Sequence, residues 1–320
     1  YDDSEWDDFK IPANWEVNNY GYPVYVNTTY EFDKLIKKNP PVVPTSQNYV
    51  GLYRRDIVIG EEWNEKDVFL HIGAAKSNLK VWVNGKYVGY GEDGKLPHEF
   101  KLNDFIRPGK NTIVLKVMRW SDGSYLECQD FWRISGIERE VRLEARPGIH
   151  IQDFFCKTGL TNDYTNGIID LEVELSAPGG GSAKNYEVVA ELYSPAKSEL
   201  LVWSGSERVT SVNKGAGVVR FSDVMDQVEP WSAESPSLYP LVLTLKNDMG
   251  EIVEYLSARV GFRTSEIRYG QLLVNGKAVR LKGVNRHEHD EYEGHVVSEE
   301  IMRKDIELMK LYNVNAVRTS

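Results

Sequence analysis

Near its C-terminal end the chain sets Asn285, Arg286, His287, Glu288 and His289 in a row behind the apolar run Leu281 to Val284. Two imidazoles, a carboxylate and a guanidinium there could move protons or stabilise charge on a bound ligand. The helical His-Glu-x-x-His spacing that brings two imidazoles to one metal is absent, so the row does not point to zinc. If the run is a barrel strand, its polar end is the rim on which such folds build active sites. The alternative is that His287 and His289 are hydrogen-bonded polar residues at a strand end.

A second stretch, Arg119 to Arg142, crowds Trp120, Tyr125, Phe131 and Trp132 among Asp122, Glu127, Asp130 and Arg133, with Gly123 and Gly136 as breakers. Glu127 and Asp130 are three residues apart. Paired carboxyls of this kind do acid/base work in glycosidases, where about 5 Å separates them for retention of configuration. The alternative is that Asp122, Glu127 and Asp130 hold the loop by turn hydrogen bonds and ion pairs to Arg119 or Arg133. Trp120, Trp132, Tyr125 and Tyr25 could offer flat faces to sugar rings, although aromatic residues of a sandwich usually belong to its core.

These residues need a scaffold, and 320 residues with 41% hydrophobic content can build two or three domains. Short strands with turn signals follow one another from Gly51 to Arg146, including an Asn84-Gly85 pair suited to a type I′ hairpin. Before them, Trp6 to Trp15 reads as an irregular edge segment because of Pro12 and Asn14. Residues Tyr22 to Thr29 alternate as a strand, Asn39 to Thr45 form an extended proline loop, and Asp104 to Lys110 close a strand pair. After Pro147 about seven strands at short spacing fit an immunoglobulin-like sandwich. Glycine-rich Ala177 to Ala183 is a loop tip without the residues of a phosphate cradle.

Beyond Phe262 a second hairpin is marked by Asn275-Gly276. Ser298 then caps a helix whose apolar face is Ile301, Ile306, Leu308, Met309 and Tyr312, and residues 313–320 read as a strand. Strand, helix, strand opens an α/β unit, so Ser320 reads as a cut inside a fold. The fold class is thus mainly β: a jelly-roll or sandwich domain over residues 1–146, an immunoglobulin-like sandwich over 147–262, and an α/β start over 263–320.

The formal net charge of −10 and the lack of a basic face argue against nucleic acid. No run of eighteen apolar residues suggests a membrane span. The two cysteines, Cys128 and Cys156, are expected as free thiols, with a single disulfide left open. The acidic start has no basic export region, and cytoplasm and periplasm both stay open.

Six collinear runs, VPTSQNYVGLYRR, VNGKYVGYGEDGKLPHEF, RWSDGSYLECQDFWRISGI, WSAESPSLY, VGFR and LLVNGKAVRLKGVNRHEH, resemble glycoside hydrolase family 2, in particular its long bacterial β-galactosidases. The resemblance covers nearly the whole chain. It implies a jelly-roll sugar-binding domain, an immunoglobulin-like sandwich and the first strand, helix and strand of a catalytic (β/α)8 barrel. It places the Asn of a Tyr-x-Asn-x-Thr-Tyr motif on Asn27 and a galactose-contacting, sodium-coordinating Asp on Asp130. It makes His287 a transition-state-stabilising position. The expected activity is retaining hydrolysis of terminal β-D-galactosides such as lactose. Magnesium and sodium would serve the full-length enzyme, which would also form homo-oligomers.

The resemblance puts the magnesium-ligating glutamate and both catalytic glutamates after a His-Tyr-Pro-Asn run beyond Ser320. The chain alone is therefore expected to be inactive without the remainder of its barrel. β-Glucuronidase, β-mannosidase and a non-catalytic carbohydrate-binding module are the alternatives. Asn27 and Asp130 in their motifs favour galactosidase over the other two enzymes.

Overall fold

A computed structural model of the chain describes residues 2–27, 29–178, 181–210 and 216–319. Its backbone divides into two compact units, one of residues Tyr1–Ala145 with Gly283–Ser320 and one of Arg146–Lys282.

In the first unit a four-stranded antiparallel sheet runs in the order Val50–Ile59, Gly109–Met118, Asn78–Val83, Lys86–Glu92. A three-stranded sheet of Val141–Pro147, Lys66–Ile72 and His98–Lys101 supplies the other layer. Alternation along these strands sends one face inward. Leu70 and Ile72 of one sheet meet Leu79, Val81, Val83, Leu115 and Val117 of the other in a single apolar cluster. Sheet packed on sheet is the sandwich expected from the sequence. Asn84 and Gly85 both take positive φ, 52° and 79°, as a type I′ turn requires. The Asn84 side chain then ties the turn down, donating to the Phe105 carbonyl at 2.8 Å and accepting from the Thr112 amide at 3.0 Å.

Two small sheets do the positioning. Ala13–Asn14 pairs with Gly136–Ile137, which pairs in turn with Ala75–Lys76. This corrects the irregular segment expected from Trp6 to Trp15: Pro12 precedes the pairing, so its missing N–H costs the ladder nothing. Phe131–Arg133 pairs with Val24–Val26, opposing Trp132 to Tyr25. The longer strand expected over Tyr22 to Thr29 is reduced to those three residues, and Thr28 lies outside the described residues.

The same unit includes the strand Gly283–Arg286, the helix Glu299–Leu311 and the strand Ala316–Thr319, with the two strands parallel. Ser298 caps the helix as expected, its Oγ accepting from the Ile301 amide at 3.3 Å. The expected apolar face is covered only in part within this chain. Ile306, Leu308 and Tyr312 are exposed, and the partly covered stripe is Ile301, Met302, Asp305 and Met309. Asp305 belongs to it because it meets Arg286 of the first strand at 2.7 Å.

Among its described residues the second unit has a sandwich of seven strands and a small sheet of Ser265–Arg268, Gln271–Val274 and Lys277–Ala278. His150–Leu160, Gly167–Ser176 and Gly217–Met225 form one sheet, and Leu201–Arg208, Glu187–Tyr193, Tyr239–Lys246 and Ile252–Val260 form the other. Leu171, Val173, Val188, Ala190, Leu241 and Leu243 fill its core. The turn Asn275-Gly276 has φ of 49° and 73°, again as expected. Of the glycine-rich tip, Gly179 and Gly180 lie outside the described residues, as does Ser320. Both cysteines are free thiols.

Candidate functional site

The two stretches singled out by their chemistry meet in the first unit. A cavity of about 740 Å³ is lined by Tyr25, Glu127, Asp130, Phe131 and Trp132 from one side of the sequence and by His287, Glu288, His289 and His295 from the other. Lys76, Lys95, Gln129, Arg139 and Thr319 complete its charged and polar lining. That volume is within the range of ligand sites, and an aromatic wall with a few convergent polar groups is their usual make-up.

Short-range pairing explains how each group arrives. The three-residue strand Phe131–Arg133 carries Asp130 at its start, and the Tyr25 hydroxyl donates to Asp130 Oδ1 at 2.5 Å. That bond keeps the phenol protonated, raising its pKa above the ordinary value. Tyr25 and Trp132, opposed in the ladder, meet edge to face with centroids 5.6 Å apart. Phe131 faces His287 at 6.3 Å and His295 at 5.1 Å. His287 follows directly on the strand Gly283–Arg286, at its C-terminal end.

Beneath this lining lies a buried polar hub. Glu138, 1% exposed, accepts from Asn14 Nδ2 at 3.1 Å, and its other oxygen pairs with Lys95. His295 Nδ1 lies 2.9 Å from Glu138 Oε1, so the tautomer with hydrogen on Nδ1 donates to the carboxylate. Burial works to raise the Glu138 carboxyl, but the His295 hydrogen bond and the Lys95 charge outweigh it and hold it below the ordinary range. His295 is itself kept below its usual value by burial, which the carboxylate only partly offsets. Asn14 Oδ1 accepts the His295 amide at 2.8 Å. Alongside, Arg139 pairs with Glu288 at 2.5 Å and donates to the His295 carbonyl at 3.3 Å. The loop after His287 is thereby fastened to the sandwich at both backbone and side chain.

Glu127 lines the cavity with one oxygen accepting the Gly94 amide at 2.8 Å, and burial raises its pKa. Among the described residues Arg119 pairs with none of these carboxylates. Arg119 turns inward to Glu31 at 2.9 Å and Glu16 at 3.8 Å, because the inner face needs its charge balanced. Trp120 is a core residue, 5% exposed, whereas Trp132 and Tyr25 keep free faces on the cavity. Asn27, just past the strand that bears Tyr25, is exposed and stands apart from the lining residues.

The hard carboxylate oxygen that sodium prefers is present at Asp130, where Oδ1 is engaged by Tyr25. Among the described residues Asp130 belongs to no group of three His, Cys, Asp or Glu side chains close enough to share one ion. The one group of three metal-type side chains among the described residues, His71, Glu99 and Glu144, lies away from the cavity lining. Lys76, Lys95, Glu138, Arg139 and His295 were not legible as site residues. The pairs that place them, Lys95 with Glu138, Arg139 with Glu288 and Glu138 with His295, reach across more than forty positions, and none sits in a motif whose spacing announces it.

Three family descriptions match the chain in succession: the sugar-binding domain of glycosyl hydrolases family 2 over residues 2–147, a family 2 domain over 149–263 and the family 2 TIM-barrel domain over 265–320. A β-galactosidase of Priestia megaterium is 40% identical over 317 residues, covering 99% of this chain and 30% of that protein. A β-galactosidase of Vibrio vulnificus is 39% identical, again over 30% of its length. The chain therefore spans about a third of the length of the curated relatives it matches. Among solved structures, a Bacteroides uniformis β-glucuronidase superposes with TM-score 0.82 at 23% identity, covering 100% of this chain and 36% of that one. A putative β-galactosidase from Bacteroides fragilis superposes with TM-score 0.82 at 19% identity, covering 99% of this chain and 46% of that one. At those identities the superpositions speak for the fold alone. The successive domains, the collinear motifs and the sandwich-to-barrel order agree, and the chain belongs to glycosyl hydrolase family 2.

Proposed function

We propose that the chain is the N-terminal part of a retaining β-galactosidase, and that its cavity is the sandwich-side share of the galactosyl pocket. The observation that carries this reading is the meeting of Asp130 and His287, 157 positions apart, in one aromatic-walled cavity. The relatives at 36–40% identity that bear the name β-galactosidase support the choice of substrate. Asp130 accepts a sugar hydroxyl with the oxygen that Tyr25 leaves free, and Trp132 and Phe131 give the ring an apolar wall. His287 donates to charge that develops as the glycosidic bond breaks. Asn27 keeps its part in sugar binding on the family resemblance alone.

When bound, sodium would add a Lewis-acidic contact for a sugar hydroxyl, with Asp130 as one of its oxygen ligands. Magnesium finds no assigned ligand in this chain. Retaining hydrolysis needs a nucleophilic carboxylate and a general acid about 5 Å apart, and neither is assigned to a residue here. The isolated chain is accordingly inactive. The test is hydrolysis of chromogenic β-galactoside, β-glucuronide and β-mannoside by a polypeptide of the relatives' full length, beside the isolated 320 residues. Turnover of the galactoside by the long form alone is expected. Preference for the glucuronide, or turnover by the isolated chain, overturns the reading.

A further inference from the structure

The loop that follows His289 is built to carry one residue inside. Asp290 Oδ1 accepts the amides of Tyr292 and Glu293 at 2.7 and 2.9 Å, and the backbone of Asp290 pairs with that of Gly294. Gly294 takes φ of 68°, and a Cβ there would meet Ile134 Cδ1 at 2.6 Å and Asn14 Oδ1 at 2.8 Å. A glycine lets the turn press that closely on the sandwich. His295 comes next and is 3% exposed. Asn14 and Arg139 hold its amide and carbonyl, and Glu138 holds its Nδ1 at 2.9 Å. The backbone bonds fix where the imidazole starts, and the carboxylate fixes its plane.

The ring held in this way packs on Phe131, with centroids 5.1 Å apart. Phe131 in turn stacks near His287, with centroids 6.3 Å apart and planes 29° from parallel. A phenyl ring has no hydrogen-bonding group, so its neighbours alone set its place in a cavity wall. Lys76 and Arg133 bring charge within 4.5 and 5.0 Å of the ring centre, an attraction that does not fix the plane. His295 is a flat neighbour whose own plane is locked. Glu138 has no exposed side-chain surface and cannot reach a sugar, so any share it has in the reaction passes through the imidazole.

We propose that Glu138 and His295 are positioning residues for the hydrolysis: the carboxylate locks the imidazole, the imidazole braces Phe131, and Phe131 keeps His287 in place on the wall it shares with Asp130. This rests on the galactosidase reading above. A misplacement of about 1 Å in a group that must meet developing charge can lower a rate by about 100-fold.

The test uses His295→Asn in a polypeptide of the relatives' full length. The shorter amide still donates to Glu138 from near the Nδ1 position, so the loop stays fastened, but the ring that braces Phe131 has gone. On a chromogenic β-galactoside, kcat is expected to fall by about 10- to 100-fold, with KM and the inhibition constant of free galactose within about threefold and the melting temperature little changed. A fastening role alone would leave kcat where it was. Phe131→Leu lowers kcat by a similar factor, and adding His295→Asn to it costs less than about twofold more, because both act through one ring. A kcat for His295→Asn within twofold of the unsubstituted protein overturns the proposal. So does a rise in KM and galactose inhibition constant with kcat held, which would make His295 a sugar contact, and so do additive losses in the double variant. Should His295→Asn fail to fold, Phe131→Leu carries the test: kcat about 10-fold lower at an unchanged melting temperature upholds the brace, and kcat within twofold overturns it. If the unsubstituted polypeptide hydrolyses no β-galactoside, the underlying reading fails and takes this assignment with it. If it does so and His295→Asn keeps its kcat, the positioning assignment fails alone.

Discussion

Among the described residues, the unit that holds the cavity buries thirteen polar or charged side chains, whereas the sandwich Arg146–Lys282 buries three, His150, Ser194 and Thr244. Both units pack sheet on sheet with apolar faces inward, so architecture alone does not create the difference. The second unit spends its interior on a continuous apolar core. The first interrupts its interior with Asn14, Glu16, Lys76, Arg119, Arg133, Glu138 and His295. Buried polar networks are costly unless every member is satisfied, and they fix one arrangement when it is. The cavity of the first unit lies where those buried polar groups are concentrated.

If this contrast is right, polar truncation should damage the first unit as apolar truncation damages the second. Glu138→Ala leaves Lys95, His295 and Asn14 without their common acceptor, and breaking a buried charge network costs about 3–5 kcal/mol. Leu171→Ala, at a position with no exposure, is expected to cost about 2–5 kcal/mol in the other unit. Denaturant titrations of the two variants, followed by hydrogen exchange resolved by segment, should place each loss in its own unit. Loss of protection in both units from Glu138→Ala would erase the contrast.

The next effect is one of pH. Burial raises the Glu16 carboxyl to about 7 from its model-compound value of 4.5. A carboxyl whose pKa is raised by folding stabilises the folded state below its unfolded value and loses that contribution as pH rises through the folded one. The shift corresponds to about 3 kcal/mol, lost between pH 4.5 and 7. Glu138, held below the ordinary range, acts in the opposite sense: its contribution is present above its unfolded pKa and disappears as pH falls below that value. Melting curves of Glu16→Gln across this window should lack the neutral-pH loss seen in the unsubstituted chain. A smaller effect is expected at the helix cap, where Ser298→Ala removes one acceptor and costs about 1 kcal/mol, read as faster exchange of the Ile301 amide.

Local chemistry made part of this legible. The Asn84-Gly85 and Asn275-Gly276 turns, the Ser298 cap and the seven strands after Pro147 follow from residues within a few positions of one another. Asp130 and His287 came from motif likeness, and the structure supplies the cavity they share. The hub was hidden for a physical reason. Asn14, Glu138 and His295 meet across separations of 124 and 157 residues, and nothing local distinguishes a glutamate bound for the interior from one bound for solvent. The ion pair of Asp305 with Arg286 was not legible, because hydrophobicity alone does not show that this carboxylate turns toward the first strand.

The most direct test is Asp130→Ala in a polypeptide of the relatives' full length, assayed on a chromogenic β-galactoside beside circular dichroism and melting temperature. Loss of a carboxylate contact to the sugar predicts a fall in kcat/KM of about 100-fold, with spectrum and melting temperature unchanged, since Asp130 is exposed and outside the buried hub. A folded variant with undiminished kcat/KM would contradict the assignment of this cavity as the galactosyl pocket.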